Sequence, residues 1–274
     1  MATWAASWDS SSRSRWQPPC ASCFSTPTNA STPEAAERLT IGLLSDVHSN
    51  LEALDAVLAV MPKVDTILVL GDIVGYGPDP NAVIDRLRAI HARAVMGNHD
   101  AAMLAPALLE EFNPHAAAAA RWTKSVLTKG NLRFLATLPR LGRLGRHRCV
   151  HGSPRKPYIW EYILDELQAL EILVQLGQRF CFFGHTHLPR IFTQEGEQIP
   201  DSTTWMPLPS AALVNPGSVG QPRDGNPEAA FAIVDLGRPA VRFERVPYDI
   251  PTTQAKIRAA GLPEVEAIRL AFGQ

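Results

Sequence analysis

The sequence has no run of about 18 consecutive apolar residues, which excludes a helical membrane span of ordinary length. It also has little net charge: 26 basic and 27 acidic side chains leave a formal charge of -1. No bulk electrostatic attraction therefore draws it to nucleic acid or to an anionic membrane, and no stable nucleic-acid complex is expected. Cysteine is scarce, with four in 274 residues, so the chain is no disulfide scaffold. Cys149 and Cys181 fall inside apolar strand candidates, where a thiol behaves as a small hydrophobe. Cys20 and Cys23 have redox or zinc spacing, but no second Cys/His pair lies near them and the pair reads as incidental. No internal repeat is visible, and nothing marks a second full domain.

What is present is 46% hydrophobic content, enough for one sizeable core. Residues 1–38, rich in Ser, Thr, Ala, Pro and Trp without periodicity, read as a disordered leader. They lack the basic start and uninterrupted apolar core of a secretory signal, so the expected location is cytoplasmic. From residue 39 the chain alternates. Short apolar strands are expected at 39–44, 66–70 and 93–96, separated by amphipathic helices opened by Ser49 with Glu52 and by Asp79 with Pro80. That alternation predicts a mainly parallel sheet built from right-handed crossovers. Residues 101–139 are helical in pattern and predict a cover over one side of the sheet and a rim of a cleft. Strands at 148–150 and 180–183 flank a helix at 162–176, and the strands at 211–215, 229–234 and 241–246 are short, turn-separated and expected to pair antiparallel. The main domain is placed at 39–250, with 251–274 as a C-terminal helical extension.

Five of the eight histidines, His48, His99, His151, His185 and His187, follow immediately after expected strand ends, together with Asp46, Asp72 and Asn98. In a parallel sheet those ends converge on one edge, the usual crevice for a ligand. Asp46 and His48 are two apart, so extended backbone points both side chains the same way, and His185 and His187 repeat the arrangement. With Asp72, Asn98 and His151 they supply seven oxygen and nitrogen donors and no thiolate. That set suits two divalent ions such as Mn, Fe or Zn better than one tetrahedral structural zinc. Asn50, Tyr76 and Arg155 lie close enough in sequence to shape the cleft wall, and Arg155 is the expected phosphate contact because a guanidinium forks onto phosphate oxygens. The stretch Tyr158-Ile159-Trp160-Glu161-Tyr162 fits either stacking on a nucleobase or packing against the helical cover. His91, His115 and His147 read as structural or surface residues.

The ordered set Asp46-x-His48, Gly71-Asp72, Gly97-Asn98-His99-Asp100, His151 and Gly184-His185-x-His187 resembles the calcineurin-like metallophosphoesterase superfamily, in its compact bacterial and archaeal phosphodiesterase-like branch. The resemblance implies an α/β fold, a four-layer α/β/β/α sandwich of two mixed β-sheets flanked by helices. It implies that Asp46, His48 and His187 hold one metal, that Asn98, His151 and His185 hold the other, and that Asp72 bridges them. Mn is the expected metal, with Fe, Zn and Ni also accommodated. His99 would serve as an acid or phosphate-oxygen donor, oriented by Asp100. The implied reaction is hydrolysis of phosphodiester or nucleotide substrates by direct attack of metal-bound hydroxide. Many members carry a second Asp where this chain has Gly75, commonly followed by Arg in protein phosphatases. That departure makes a phosphomonoesterase or small protein phosphatase the alternative rather than the first reading. An alternative of another class is a metal-binding scaffold without turnover, against which the presence of His99 counts. The sequence leaves the oligomeric state open.

Overall fold

The computed structural model describes residues 39–177, 179–200 and 203–274. The leader and the Cys20/Cys23 pair lie outside the described residues. The elements run β1 (Thr40–Leu44), α1 (Leu51–Val60), β2 (Thr66–Val69), α2 (Pro80–Ala89), β3 (Arg93–Ala94), α3 (Asn98–Ala102), a 3-10 turn (Pro106–Glu111), α4 (Pro114–Val126) and α5 (Lys129–Ala136). They continue with β4 (Leu141–Leu144), β5 (His147–Val150), α6 (Glu166–Leu176), β6 (Phe180–Phe182), β7 (Pro189–Thr193), β8 (Gly196–Gln198), β9 (Met206–Pro207) and β10 (Ala212–Pro216). The chain closes with β11 (Ala229–Asp235), β12 (Ala240–Val246), α7 (Ile250–Ala259) and α8 (Glu264–Ile268).

Two six-stranded mixed sheets, ordered β3-β2-β1-β11-β12-β9 and β4-β5-β6-β10-β7-β8, pack face to face between helices. The layering follows from strand alternation. Phe180 and Phe182 of β6 point into the space between the sheets, with Ile41, Leu43, Val214 and Val234. Their neighbours Cys181 and Phe183 point outward onto Ile172 and Leu173 of α6. On the far side, Leu44 and Val69 meet Leu54 and Val57 of α1 and Val83 and Ile84 of α2. Burial pushes the Cys149 thiol up to about 12 and raises that of Cys181 as well, so both pack as hydrophobes. His147 is structural: its Nδ1 accepts the Phe180 N–H at 3.0 Å and its ring stacks on Phe180.

The parallel pairs β1–β2 and β2–β3 belong to one sheet, whereas β5–β6 belongs to the other. The late strands do not form a sheet half of their own. β10 joins β6 and β7, and β11 pairs antiparallel with β1, because each is a mainly apolar, almost wholly buried strand at the centre of a sheet. Helix α1 is capped by Asn50 rather than by Ser49: the Asn50 side chain accepts the Ala53 N–H. Asp79 makes no cap bond, since its carboxylate is paired with Lys256. Residues 162–165 are not helical; Asp165 accepts the Gln168 N–H and starts α6 there. Strands β4 and β7–β9 were not anticipated by the sequence pattern. Helices α7 and α8 pack through Ile257, Leu262 and Ala267 on Tyr76 and on Ala116 and Ala119 of α4.

Candidate metal centre

The carboxyl ends of β1, β2 and β3 in one sheet meet those of β5 and β6 in the other; Asp46, Asp72, His151, His185 and His187 stand on the loops that leave them, and Asn98 opens α3. These loops are laced together rather than free. The backbone N–H groups of Asp46, His48 and Ser49 donate to the carbonyls of Gly71, Asp72 and Ile73. Asp46, His48 and Asp72, and likewise His185 and His187, are in left-handed conformations with φ between 47° and 70°, not the extended backbone expected for the Asp46/His48 and His185/His187 pairs, because the turns that end the strands reverse the chain there. Non-glycine residues avoid that region unless the surroundings impose it, and such strain collects at functional sites. Gly97 allows a close approach: a Cβ there would overlap the Asp72 carboxylate.

The side chains form a buried cluster. Asp46 Oδ1 lies 3.3 Å from His187 Nε2 and 3.8 Å from His48 Nε2, and Asp72 Oδ2 lies 3.2 Å from His151 Nε2 and 3.6 Å from His48 Nε2. Asn98 Oδ1 is 3.1 Å from His151 Nε2. The other oxygen of each carboxylate is committed to backbone: Asp46 Oδ2 accepts the His185 N–H and Asp72 Oδ1 the His99 N–H. Donor atoms of Asp46, His48 and His187, and those of Asp72, His151 and His185, lie within 4.8 Å of one another. Asp72 faces both groups, and the clusters are consistent with a dinuclear metal site.

Hydrogen bonding at the far side of the rings tests whether divalent ions fit. The Nδ1 atoms of His48, His151 and His187 lie 3.1, 2.7 and 2.5 Å from the carbonyl oxygens of Val74, Leu70 and Gln221. A carbonyl only accepts, so Nδ1 carries a proton in each ring and the Nε2 faces inward. Burial holds His48, His185 and His187 well below the usual histidine range, leaving them neutral with a free lone pair. The Nε2 atoms of His48 and His187 nevertheless face each other at 3.2 Å, and beside them Asp46 Oδ1 is buried without a hydrogen-bond partner. Two lone pairs and an orphaned carboxylate oxygen at that range repel unless a cation sits among them. His151 is pushed up to about 9 because Asp72 and Asp46 outweigh the effect of burial. Burial raises Asp46 to about 6 and would raise Asp72 too, but His151, His99 and His48 hold Asp72 well below the carboxylate range. Charge that draws a proton so strongly draws a divalent cation equally, and the residues fit one.

The family model for the calcineurin-like phosphoesterase superfamily domain matches residues 39–238. The chain belongs to that superfamily. It is 37% identical over 241 residues to an uncharacterized protein of Methanocaldococcus jannaschii, a match covering 85% of this chain and 98% of the other. The solved structure of a metallophosphoesterase from Sphaerobacter thermophilus is similar at 41% identity and a TM-score of 0.77, over 86% of this chain and 100% of that one. The phosphodiesterase YfcE of Escherichia coli is 27% identical over 203 residues, 70% of this chain and 84% of its own length. Fold and metal cluster are thus those of a compact bacterial or archaeal member of the superfamily.

In this member of the superfamily the cluster opens into a cavity of about 210 Å³, walled by Phe112 of the helical cover and by His99, Trp160, Tyr162 and Arg223. Tyr76 lines it as well. Tyr162 stacks on His185 at 3.8 Å between ring centroids, and Trp160 is buried and donates its indole N–H to Met96 O, whereas Tyr158 is 70% exposed, so the aromatic run packs only in part. Three of the residues singled out in the sequence stand elsewhere. Arg155 is exposed and paired with Glu171 of α6, away from the cavity, because the loop after β5 turns it outward. Asn50 spends its whole amide on structure: its oxygen takes the Ala53 N–H and its nitrogen donates to Gly220 O. Asp100 does not reach the His99 ring; its oxygens accept the N–H groups of Val74 and Gly97, and burial raises it to about 7. His99 Nδ1 is left without a partner, and burial lowers that ring to about 4.

The arginine that does reach the cavity, Arg223, was missed. Its signal was present: Asn215-Pro216-Gly217 ends an apolar strand, and Gly220-Gln221-Pro222-Arg223-Asp224-Gly225 is a glycine- and proline-punctuated loop carrying one cation, the same setting as the other site residues.

Proposed function

We propose that this chain is a dinuclear metal-dependent phosphoesterase acting on small phosphodiesters or nucleotides. The observation that carries it is the inward-facing Nε2 set around Asp46 Oδ1 and Asp72 Oδ2, opening directly into the cavity that His99 and Arg223 line. Asp46, His48 and His187 would hold one ion and Asn98, His151 and His185 the other, with Asp72 standing between the two groups. Bound divalent ions, Mn first among them, supply water of lowered pKa and positive charge for phosphoryl oxygens. The carbonyls of Val74, Leu70 and Gln221 keep the rings in the ligating tautomer. His99 is neutral, is held by its backbone N–H on Asp72, and can donate a ring N–H as a hydrogen bond to a phosphoryl or departing oxygen, the proton of the leaving alcohol coming from solvent. Phe112 and Tyr162 close the flanks and limit the water around the reacting phosphorus.

The size of the cavity favours a small phosphoester over a docked protein, and the likeness to a protein named as a phosphodiesterase supports the diester class. Among the described residues no helix is long and apolar enough to cross a membrane, and the reading places the enzyme with cytoplasmic substrates. The test is turnover on bis(p-nitrophenyl) phosphate against p-nitrophenyl phosphate, with protein stripped of metal and reloaded with Mn. A ratio well above one is expected. A ratio well below one would make it a monoesterase, and two bound ions with neither product formed would make it a scaffold.

A further inference from the structure

Arg223 stands on the loop between β10 and β11 and lines the cavity together with Asp72, His99, His185 and His187. Its Nη2 donates to Gln221 Oε1 at 2.8 Å, and its Nε is buried without a partner. Among the described residues it makes no ion pair, although its guanidinium carbon lies 5.7 Å from the centre of the Tyr76 ring. A half-buried guanidinium next to a cluster suited to cations is a like-charge neighbour of whatever binds there. An anion lying between the two relieves both, and a planar fork with an uncommitted N–H is the donor that suits a phosphoryl oxygen.

The loop is held from an unexpected quarter. Gln221, 2% exposed, uses every polar group it has. Its carbonyl accepts His187 Nδ1, its Oε1 accepts Arg223, its backbone N–H donates to Ser218 Oγ, and its Nε2 donates to Glu266 Oε2 at 3.0 Å. Glu266 belongs to α8, beyond residue 238 where the family match ends. Gly273 O, on the penultimate residue, accepts the Gly225 N–H from the same loop. One glutamine thus ties His187, Arg223 and the C-terminal helices together.

We propose that Arg223 is a substrate residue of this site, binding a non-bridging phosphoryl oxygen, and that Gln221 and Glu266 are positioning residues that aim it. The proposal rests on the reading of the site as one that takes a phosphoryl group, and it deepens that reading by giving the C-terminal segment a part in substrate affinity.

The probe is inorganic phosphate, titrated calorimetrically into full-length protein loaded with Mn, with metal content measured on the same samples. Arg223→Ala should weaken phosphate binding by roughly 10- to 100-fold, the range for loss of a charged hydrogen bond, while both ions stay bound; Arg223→Lys should recover part of the loss. Glu266→Ala should weaken phosphate in the wild-type background, Glu266→Gln should restore it by keeping an acceptor for Gln221, and neither should change affinity once Arg223 is Ala. Unchanged phosphate affinity in Arg223→Ala overturns the proposal. So does loss of metal in both Arg223 variants, which would make the arginine a prop for the ligand loop, and so does a wild type that binds no phosphate. Binding that behaves as expected in a protein that hydrolyses nothing would leave this inference standing and remove the catalytic reading alone.

Discussion

Gly75 shows how one missing side chain shapes this site. It has φ of 98°, and a Cβ on it would run into the His99 ring. The ring occupies that space, edge-on to His48 at 4.9 Å and against Tyr76 at 4.5 Å. Gly75→Ala should therefore push His99 out of place and strain the turn by about 1–2 kcal/mol, lowering kcat while leaving the metals bound; unchanged kcat with an unshifted His99 would show that the ring has other room. Asp72→Asn should behave differently. With Oδ2 within 3.6 Å of two histidines that the two groups do not share, loss of its charge should remove most bound metal and cut turnover by roughly 10²–10³-fold or more, read by elemental analysis beside the rate. At this scale the ligand candidates were legible because each residue follows a strand end. Asp100, Arg155 and Arg223 were not, because position along the chain does not report which way a loop turns or which backbone N–H a carboxylate will find.

Elements carry the same lesson. Asn50 begins α1, donates to Gly220 at 2.9 Å and accepts from Thr253 of α7 at 3.2 Å, so it joins three parts of the chain far apart in sequence. Asn50→Ala loses a helix cap and leaves buried partners unsatisfied, a cost of about 2–3 kcal/mol. A fall in melting temperature of roughly 4–12 °C is expected for a domain of this size, with KM for bis(p-nitrophenyl) phosphate little changed; a large rise in KM at unaltered stability would return Asn50 to the substrate wall. Periodicity located α1, α2, α4 and the apolar strands well. It failed for β4 and for β7 to β9, which are short or mixed in polarity and gain their strand character from the neighbours they pair with.

For the whole molecule, the metal centre joins the two sheets: His48 and Asp72 come from one sheet's loops, His151 and His187 from the other's. Ions bound there stabilise the native state and not the unfolded chain. Each ion held at a hundredfold its Kd should add about 2.7 kcal/mol, so stripping with a chelator should lower the melting temperature by roughly 5–10 °C per ion, and Mn should restore it; a melting temperature indifferent to chelator would count against a bound dinuclear centre. The sequence by itself determined which side chains could ligate, because strand-terminal Asp, Asn and His are set by local alternation and turn chemistry. It also determined the outward and inward faces of the central strands, since their period of two is fixed by the backbone. Only the tertiary structure decided that the strands divide between two sheets, that β11 returns beside β1, and that α8 reaches back to the loop of Arg223. Those contacts join residues far apart in the chain, and the free energy that selects them comes from burial and hydrogen-bond satisfaction in the assembled core, which no local stretch of sequence contains.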